Sequence, residues 1–88
     1  VSATTRPEIE RAVQTALSSV APEADFATFD PKQSLREQLD LDSMDFLNFV
    51  IGLHGALGVD VPERDYASLA TAESAVDYLL AAVRRKDR

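Results

Sequence analysis

The residues best placed for chemistry lie in the run Leu39-Asp40-Leu41-Asp42-Ser43-Met44-Asp45, just ahead of a strongly apolar stretch. Ser43 supplies a hydroxyl, and the spacing puts it just inside a helix start. A serine there faces solvent and can be modified from outside without unfolding anything, while the surrounding aspartates attract basic partners. Other chemistries are poorly provided for. The chain has no cysteine, which removes disulfides, thiolate catalysis and thiolate metal sites, and its single histidine, His54, cannot build a histidine cluster. No set of nucleophile, base and oxyanion donor can be assembled from these residues, so the chain reads as a non-enzyme with no metal site.

The helix that must position Ser43 is predicted to begin with Asp42 as N-cap, Ser43 as first helical residue and Asp45 in the first turn, and to run to about Leu57. Phe46, Phe49, Val50, Leu53 and Leu57 form one apolar stripe on it. Met44, Leu47 and Ile51 form a second, about a third of a turn or more away, and one buried face cannot hold both. The second stripe is therefore expected to be exposed, where apolar patches mark interaction sites.

Upstream, Thr5-Arg6-Pro7-Glu8 reads as a capping box, with the Thr5 hydroxyl accepting from the Glu8 amide. An amphipathic helix follows, with Ile9, Val13, Ala16, Leu17 and Val20 on one face, closed by Pro22. Residues 21 to 34 form a long connection that Phe26 and Phe29 are expected to anchor. Ser34-Leu35-Arg36-Glu37 repeats the capping pattern and predicts a short helical turn delivering the chain to Ser43. Downstream, Gly58-Val59-Asp60-Val61-Pro62 ends the Ser43 helix, Glu63 to Leu69 forms a short helix, and Thr71 caps a last helix with Ala72, Ala75, Val76, Leu79, Leu80 and Val83 inward. Arg84 and Arg85 complement its C-terminal dipole, and residues 84 to 88 read as a basic tail. No segment alternates with period two, so the fold class is all-α: a four-helix bundle of three main helices and one short one with a long first loop, in a single domain over residues 1–88 with its core at about 6–83.

The chain is 88 residues long with a formal charge of −6, and because its last five residues are net basic the body is more acidic still. Such a field repels phosphate backbones, excluding nucleic acid as partner, and favours basic protein surfaces. The longest uncharged stretch, Phe46 to Val59, is too short to span a bilayer. A monomer in the cytoplasm, without a signal-like leader, is the expectation.

Taken together, Asp42-Ser43-Met44, the turn Gly58-Val59-Asp60-Val61-Pro62-Glu63 and the last-helix segment Thr71-Ala72-Glu73-Ser74-Ala75-Val76-Asp77-Tyr78-Leu79 resemble the acyl carrier protein family, in order and spacing from about residue 8 to 83. The resemblance implies a four-helix domain carrying 4′-phosphopantetheine on Ser43, next to Asp42, attached by a phosphopantetheinyl transferase using coenzyme A and magnesium. It implies acyl thioesters on the arm's terminal thiol, which supplies the thiol that the chain lacks. It further implies that acyl-loading and acyl-transfer enzymes with basic docking surfaces recognise Asp42, Met44, Asp45, Leu47 and Ile51, with Glu63 extending the acidic face. The sequence departs from the common pattern at Asp40, where a glycine often stands, at Met44, where leucine is more frequent, and at Asn48, His54 and Gly55, which are acidic in carriers for fatty acid synthesis. A specialised lipid or secondary-metabolite pathway is the reading that results. The alternatives are an aminoacyl or peptidyl carrier on the same scaffold, or an unmodified helical adaptor binding a basic partner, in which Ser43 serves only in the helix start.

Overall fold

The computed structural model describes residues 5–86 and contains four α-helices, α1 (Arg6–Val20), α2 (Leu35–Gln38), α3 (Ser43–Leu57) and α4 (Ala72–Lys86), with a 3-10 helix at Glu63–Leu69 between the last two. The all-α expectation holds among the described residues. Helix α1 begins where expected, but its start is built differently: the Thr5 hydroxyl donates to the Glu8 carboxylate at 3.3 Å and makes no cap bond to the backbone. At this exposed end water can satisfy the Glu8 amide, so the helix start does not require the cap bond.

The core is apolar throughout. Ile9, Val13 and Leu17 of α1, Phe49 and Leu53 of α3, and Leu79 of α4 are almost wholly buried, joined by Leu35 and Leu69 from the short helices. Burying such side chains stabilises the fold by roughly 1.5–3 kcal/mol each before chain entropy is counted. Helices α1 and α3 come close together at Gly52, where an added Cβ would lie 3.4 Å from the Ala16 side chain.

Phe26 and Phe29 anchor the long connection as expected, half-buried against the core with ring centroids 5.4 Å apart. The rest of that loop is ordered by polar bonds that spacing alone does not announce. Gln38 donates to the carbonyls of Asp30 (2.8 Å) and Gln33 (3.3 Å) and accepts from the Asp30 amide (3.2 Å), stapling the loop to the end of α2. The loop is also tied to the start of α4, through Leu35 N to Ala70 O (2.8 Å) and Glu73 N to Pro31 O (2.9 Å).

Helix α4 is fastened on two sides by neighbouring residues. Asp77 accepts from Arg6 of α1 at 2.7 Å, and the Tyr78 hydroxyl donates to Asp65 of the 3-10 helix at 2.7 Å. The bond to Asp77 raises the Arg6 pKa above its already high ordinary value, and burial followed by the bond to Asp65 raises that of Tyr78. By contrast, among the described residues no side chain of α3 makes a hydrogen bond or ion pair to another helix; α3 is held by its apolar and aromatic contacts. The last helix takes in the first three residues of the basic segment. Arg84 to Lys86 are its final turn, favourable to the helix dipole, while Asp87 and Arg88 lie outside the described residues.

Candidate functional site at the start of helix α3

The start of α3 is a complete capping box. The Asp45 amide donates to the Asp42 carboxylate at 2.8 Å, and the Asp42 amide donates to the Asp45 carboxylate at 3.3 Å. Two otherwise orphaned N–H groups are satisfied reciprocally, and both carboxylates sit at the positive end of the helix dipole. Ser43 is the first helical residue; its side chain is exposed and its hydroxyl makes no hydrogen bond to any described residue. A fixed backbone thus presents a hydroxyl that the fold itself does not use, which is what attachment of a bulky group from outside requires.

The approach to this site turns on Asp40. Its φ of 53° places it in the left-handed region, unusual for a residue with a side chain, and it is the position where the family pattern often has glycine. The reversal lets the Leu41 amide donate to Arg36 O at 2.9 Å and sends the Leu41 side chain into the core, leaving it 6% exposed. Ser43 therefore follows a buried anchor by two residues.

The two stripes of α3 separate as their spacing demanded. Phe46, Phe49, Val50 and Leu53 are buried, and Leu57 is half-buried. Met44, Leu47 and Ile51 are 64%, 42% and 57% exposed, the large apolar side chains that the described surface leaves to water. Beyond Asp45 the exposed side of the helix carries Asn48, His54 and Gly55 and no carboxylate. His54 is used locally: its Nδ1 lies 3.0 Å from Asp60 Oδ1 and 3.3 Å from Val59 O, over the left-handed Gly58 (φ 67°) that ends the helix.

Glu63 is exposed at the first position of the 3-10 helix, as its expected role requires, whereas Asp65 is half-buried and occupied by Tyr78. The 3-10 helix is brought against the first turns of α3 by Tyr66, whose ring meets that of Phe46 edge-on at 5.7 Å. The Arg36 guanidinium also lies over Phe46, 5.9 Å from the ring centroid. These side chains, with Ser34, Ala67 and Ala70, line an open groove of about 280 Å³. Sequence reasoning assigned no role to Arg36 or to this groove; the one signal available was a cation directly after Leu35, an inward-pointing residue of the predicted turn.

Comparison with known proteins agrees with this geometry. The family model described as "Phosphopantetheine attachment site" matches residues 8–79. An acyl carrier protein of Rubrobacter xylanophilus is 36% identical over 50 residues, covering 57% of this chain and 62% of that protein. One from Myxococcus xanthus is 31% identical over 58 residues (66% of this chain, 73% of that protein), and one from Micrococcus luteus is 31% identical over 55 residues (62% and 68%). The match thus spans less than two thirds of the Rubrobacter protein's length.

Proposed function

Because the chain belongs to the phosphopantetheine-attachment family, whose members bear 4′-phosphopantetheine covalently, we propose that Ser43 is the attachment residue and that the protein presents acyl groups as thioesters to partner enzymes. The observation that carries this reading is the exposed, unengaged Ser43 hydroxyl held at a capped helix start. In the modification, Ser43 Oγ attacks the phosphorus that bears pantetheine in coenzyme A, the pyrophosphate P–O bond breaks, and adenosine 3′,5′-bisphosphate leaves as the hydroxyl proton is released, so that a phosphodiester remains on Ser43. The protein itself catalyses nothing: the arm supplies the reactive thiol, and the fold supplies position and recognition. A tethered acyl group gains effective concentration at each docking event.

Recognition is assigned to the acidic end formed by Asp42 and Asp45, to the exposed Met44, Leu47 and Ile51, and to Glu63. Partners with basic docking surfaces, including the phosphopantetheinyl transferase, are steered to the first and seat apolar side chains on the second. With Asn48, His54 and Gly55 in place of carboxylates, negative charge on α3 is confined to its Ser43 end. This favours a specialised lipid or secondary-metabolite pathway over fatty acid synthesis.

The test is intact mass after incubation with coenzyme A, magnesium and a broad-specificity phosphopantetheinyl transferase. One phosphopantetheine is expected on wild type and none on Ser43→Ala, with the helical spectrum of both proteins unchanged. Modification of the alanine variant would overturn the assignment. No modification of folded wild type would favour the unmodified adaptor.

A further inference from the structure

We propose that Met44 is a reversible oxidation site, through which a peroxide weakens the grip of partner enzymes on the Ser43 end of α3 while the fold stays intact. The inference rests on the assignment of Ser43 and its docking stripe above and goes beyond it, because neither attachment nor docking calls for a sulfur atom.

Three observations converge. The chain has one methionine and no cysteine, so the Met44 thioether is its only sulfur and a peroxide has no thiol to consume first. Met44 is also the most exposed of the three apolar side chains on α3, and is open to water without any unfolding. Secondly, Met44 belongs neither to the buried core nor to the half-buried side chains packed against it. Oxidation of a core methionine drives a polar oxygen into apolar surroundings; here the oxygen meets water, and the free protein loses no packing. Thirdly, Met44 directly follows Ser43 in the first turn of α3 and stands three residues before Leu47, so it forms the Ser43 end of the exposed stripe. A partner that covers this stripe and reaches Ser43 takes the Met44 side chain out of water. A thioether makes that burial favourable, and a sulfoxide with no partner built for it makes the burial costly. Leu47 and Ile51, which complete the stripe, give apolar contact and are inert to peroxide.

The chemistry balances without a cofactor. A sulfur lone pair attacks one oxygen of hydrogen peroxide, the S–O bond forms as the O–O bond breaks, and water leaves after proton transfer; sulfur is oxidised and the peroxide reduced. Methionine sulfoxide reductases reverse the step, one enzyme for each sulfoxide epimer, with a pair of thiols ending as a disulfide and water released. Because the sulfoxide carries no net charge, Asp42 and Asp45 still steer basic partners, and the loss falls on the docked state rather than on the encounter.

Elsewhere the described surface offers less. The depression lined by Phe26, Phe29, Arg6 and Glu73 has its cation already paired with Glu10 and Asp77, and no buried side-chain polar atom among the described residues lacks a partner. The His54–Asp60 pair lies in water on its Asp60 side, where screening leaves it little strength.

The experiment oxidises the folded, unmodified protein with hydrogen peroxide, removes the peroxide, and then measures kcat/KM for arm transfer by a broad-specificity phosphopantetheinyl transferase. Intact mass is expected to rise by one oxygen in wild type and not at all in Met44→Leu. Oxidised wild type should lose about ten-fold in kcat/KM, the scale of an unpaired polar group in an apolar contact, with most of the loss in KM. Its circular dichroism, its urea midpoint and the salt dependence of the rate should stay as they were, and treatment with the two reductases should return the rate. Met44→Leu, whatever its own rate, should show the same one before and after peroxide. A fully oxidised protein that accepts the arm as fast as the native one would overturn the inference, as would a loss of rate matched by a lower urea midpoint or one that Met44→Leu shares. Failure of the native, unoxidised protein to accept the arm would instead overturn the attachment reading beneath it.

Discussion

Replacing Asp40 by glycine should stabilise the unmodified protein. The left-handed conformation at φ 53° costs an L-residue roughly 1–2 kcal/mol, less for aspartate than for most. Glycine removes that cost but gains about 0.5–1 kcal/mol of disorder in the unfolded chain. The difference spans about 0–1.5 kcal/mol, and the tolerance of aspartate for this backbone puts it in the lower half, a stabilisation of up to about 0.75 kcal/mol or about 3–6 °C in Tm for a domain of this size. Loss of a negative charge near Asp42 and Asp45 acts in the same direction, so the variant needs a partner that separates the two effects. Asp40→Asn removes the charge while keeping a side chain tolerant of this backbone, and Asp40→Ala removes it while keeping a Cβ that is not. Thermal and urea unfolding followed by circular dichroism should rank glycine first, asparagine next and alanine last, with alanine at or below wild type. A glycine variant less stable than wild type would refute the backbone argument. Equal gains for all three would assign the effect to charge alone.

Tyr78→Phe should cost about 1 kcal/mol by removing the hydrogen bond to Asp65. Since the Tyr78 pKa is raised above 10.0 in the folded state, its contribution is complete below pH 10 and is lost as pH rises through the folded value; wild type should lose urea resistance there more steeply than the phenylalanine variant. Asp42→Ala should lower stability by about 1 kcal/mol, because it removes the carboxylate that accepts from the Asp45 amide while leaving the residue-42 amide bonded to Asp45, and hydrogen exchange should accelerate first at the Asp45 amide. Gly55→Ala should raise the urea midpoint by the equivalent of about 0.5–1 kcal/mol, because an added Cβ meets nothing within 4 Å and the helix loses its entropic penalty.

What could be read from the chain follows from the range of each interaction. Helices α1, α3 and α4 were legible because their signals are local: a cap residue, a period of 3.6 and a stop at Pro22 or Gly58. The exposure of Met44, Leu47 and Ile51 was equally legible, since two apolar stripes on one helix force one of them outward. The Ser34 cap also reads directly, with its hydroxyl accepting from the Glu37 amide at 3.3 Å. The Thr5 cap did not, because at an exposed helix end water serves the Glu8 amide as well as the hydroxyl does. Contacts outside any local motif left no such trace: Arg6 to Asp77 joins positions far apart in the chain through the packing of α1 and α4, while the Gln38 staple and the seat of Arg36 over Phe46 depend on the path of irregular backbone that spacing does not encode. At the candidate site the cap and the hydroxyl were legible, and the groove beside them was not.

Among the described residues α3 has no hydrogen bond or ion pair to another helix, and its oriented contacts are the softer ones of Phe46 with the Tyr66 ring and the Arg36 guanidinium, which sets this helix apart mechanically. Helices α1 and α4 and the 3-10 helix are linked through Arg6–Asp77 and Tyr78–Asp65, contacts that tolerate little change in distance or angle. Apolar contacts have no preferred azimuth, so a small roll or slide of α3 exchanges one set of van der Waals neighbours for another at modest cost. The molecule is in this sense a braced frame with one unlatched member. That member carries Ser43 at one end and the exposed apolar stripe along its length, so any adjustment made when a partner grips the stripe reaches the Ser43 end without a hydrogen bond between helices having to break.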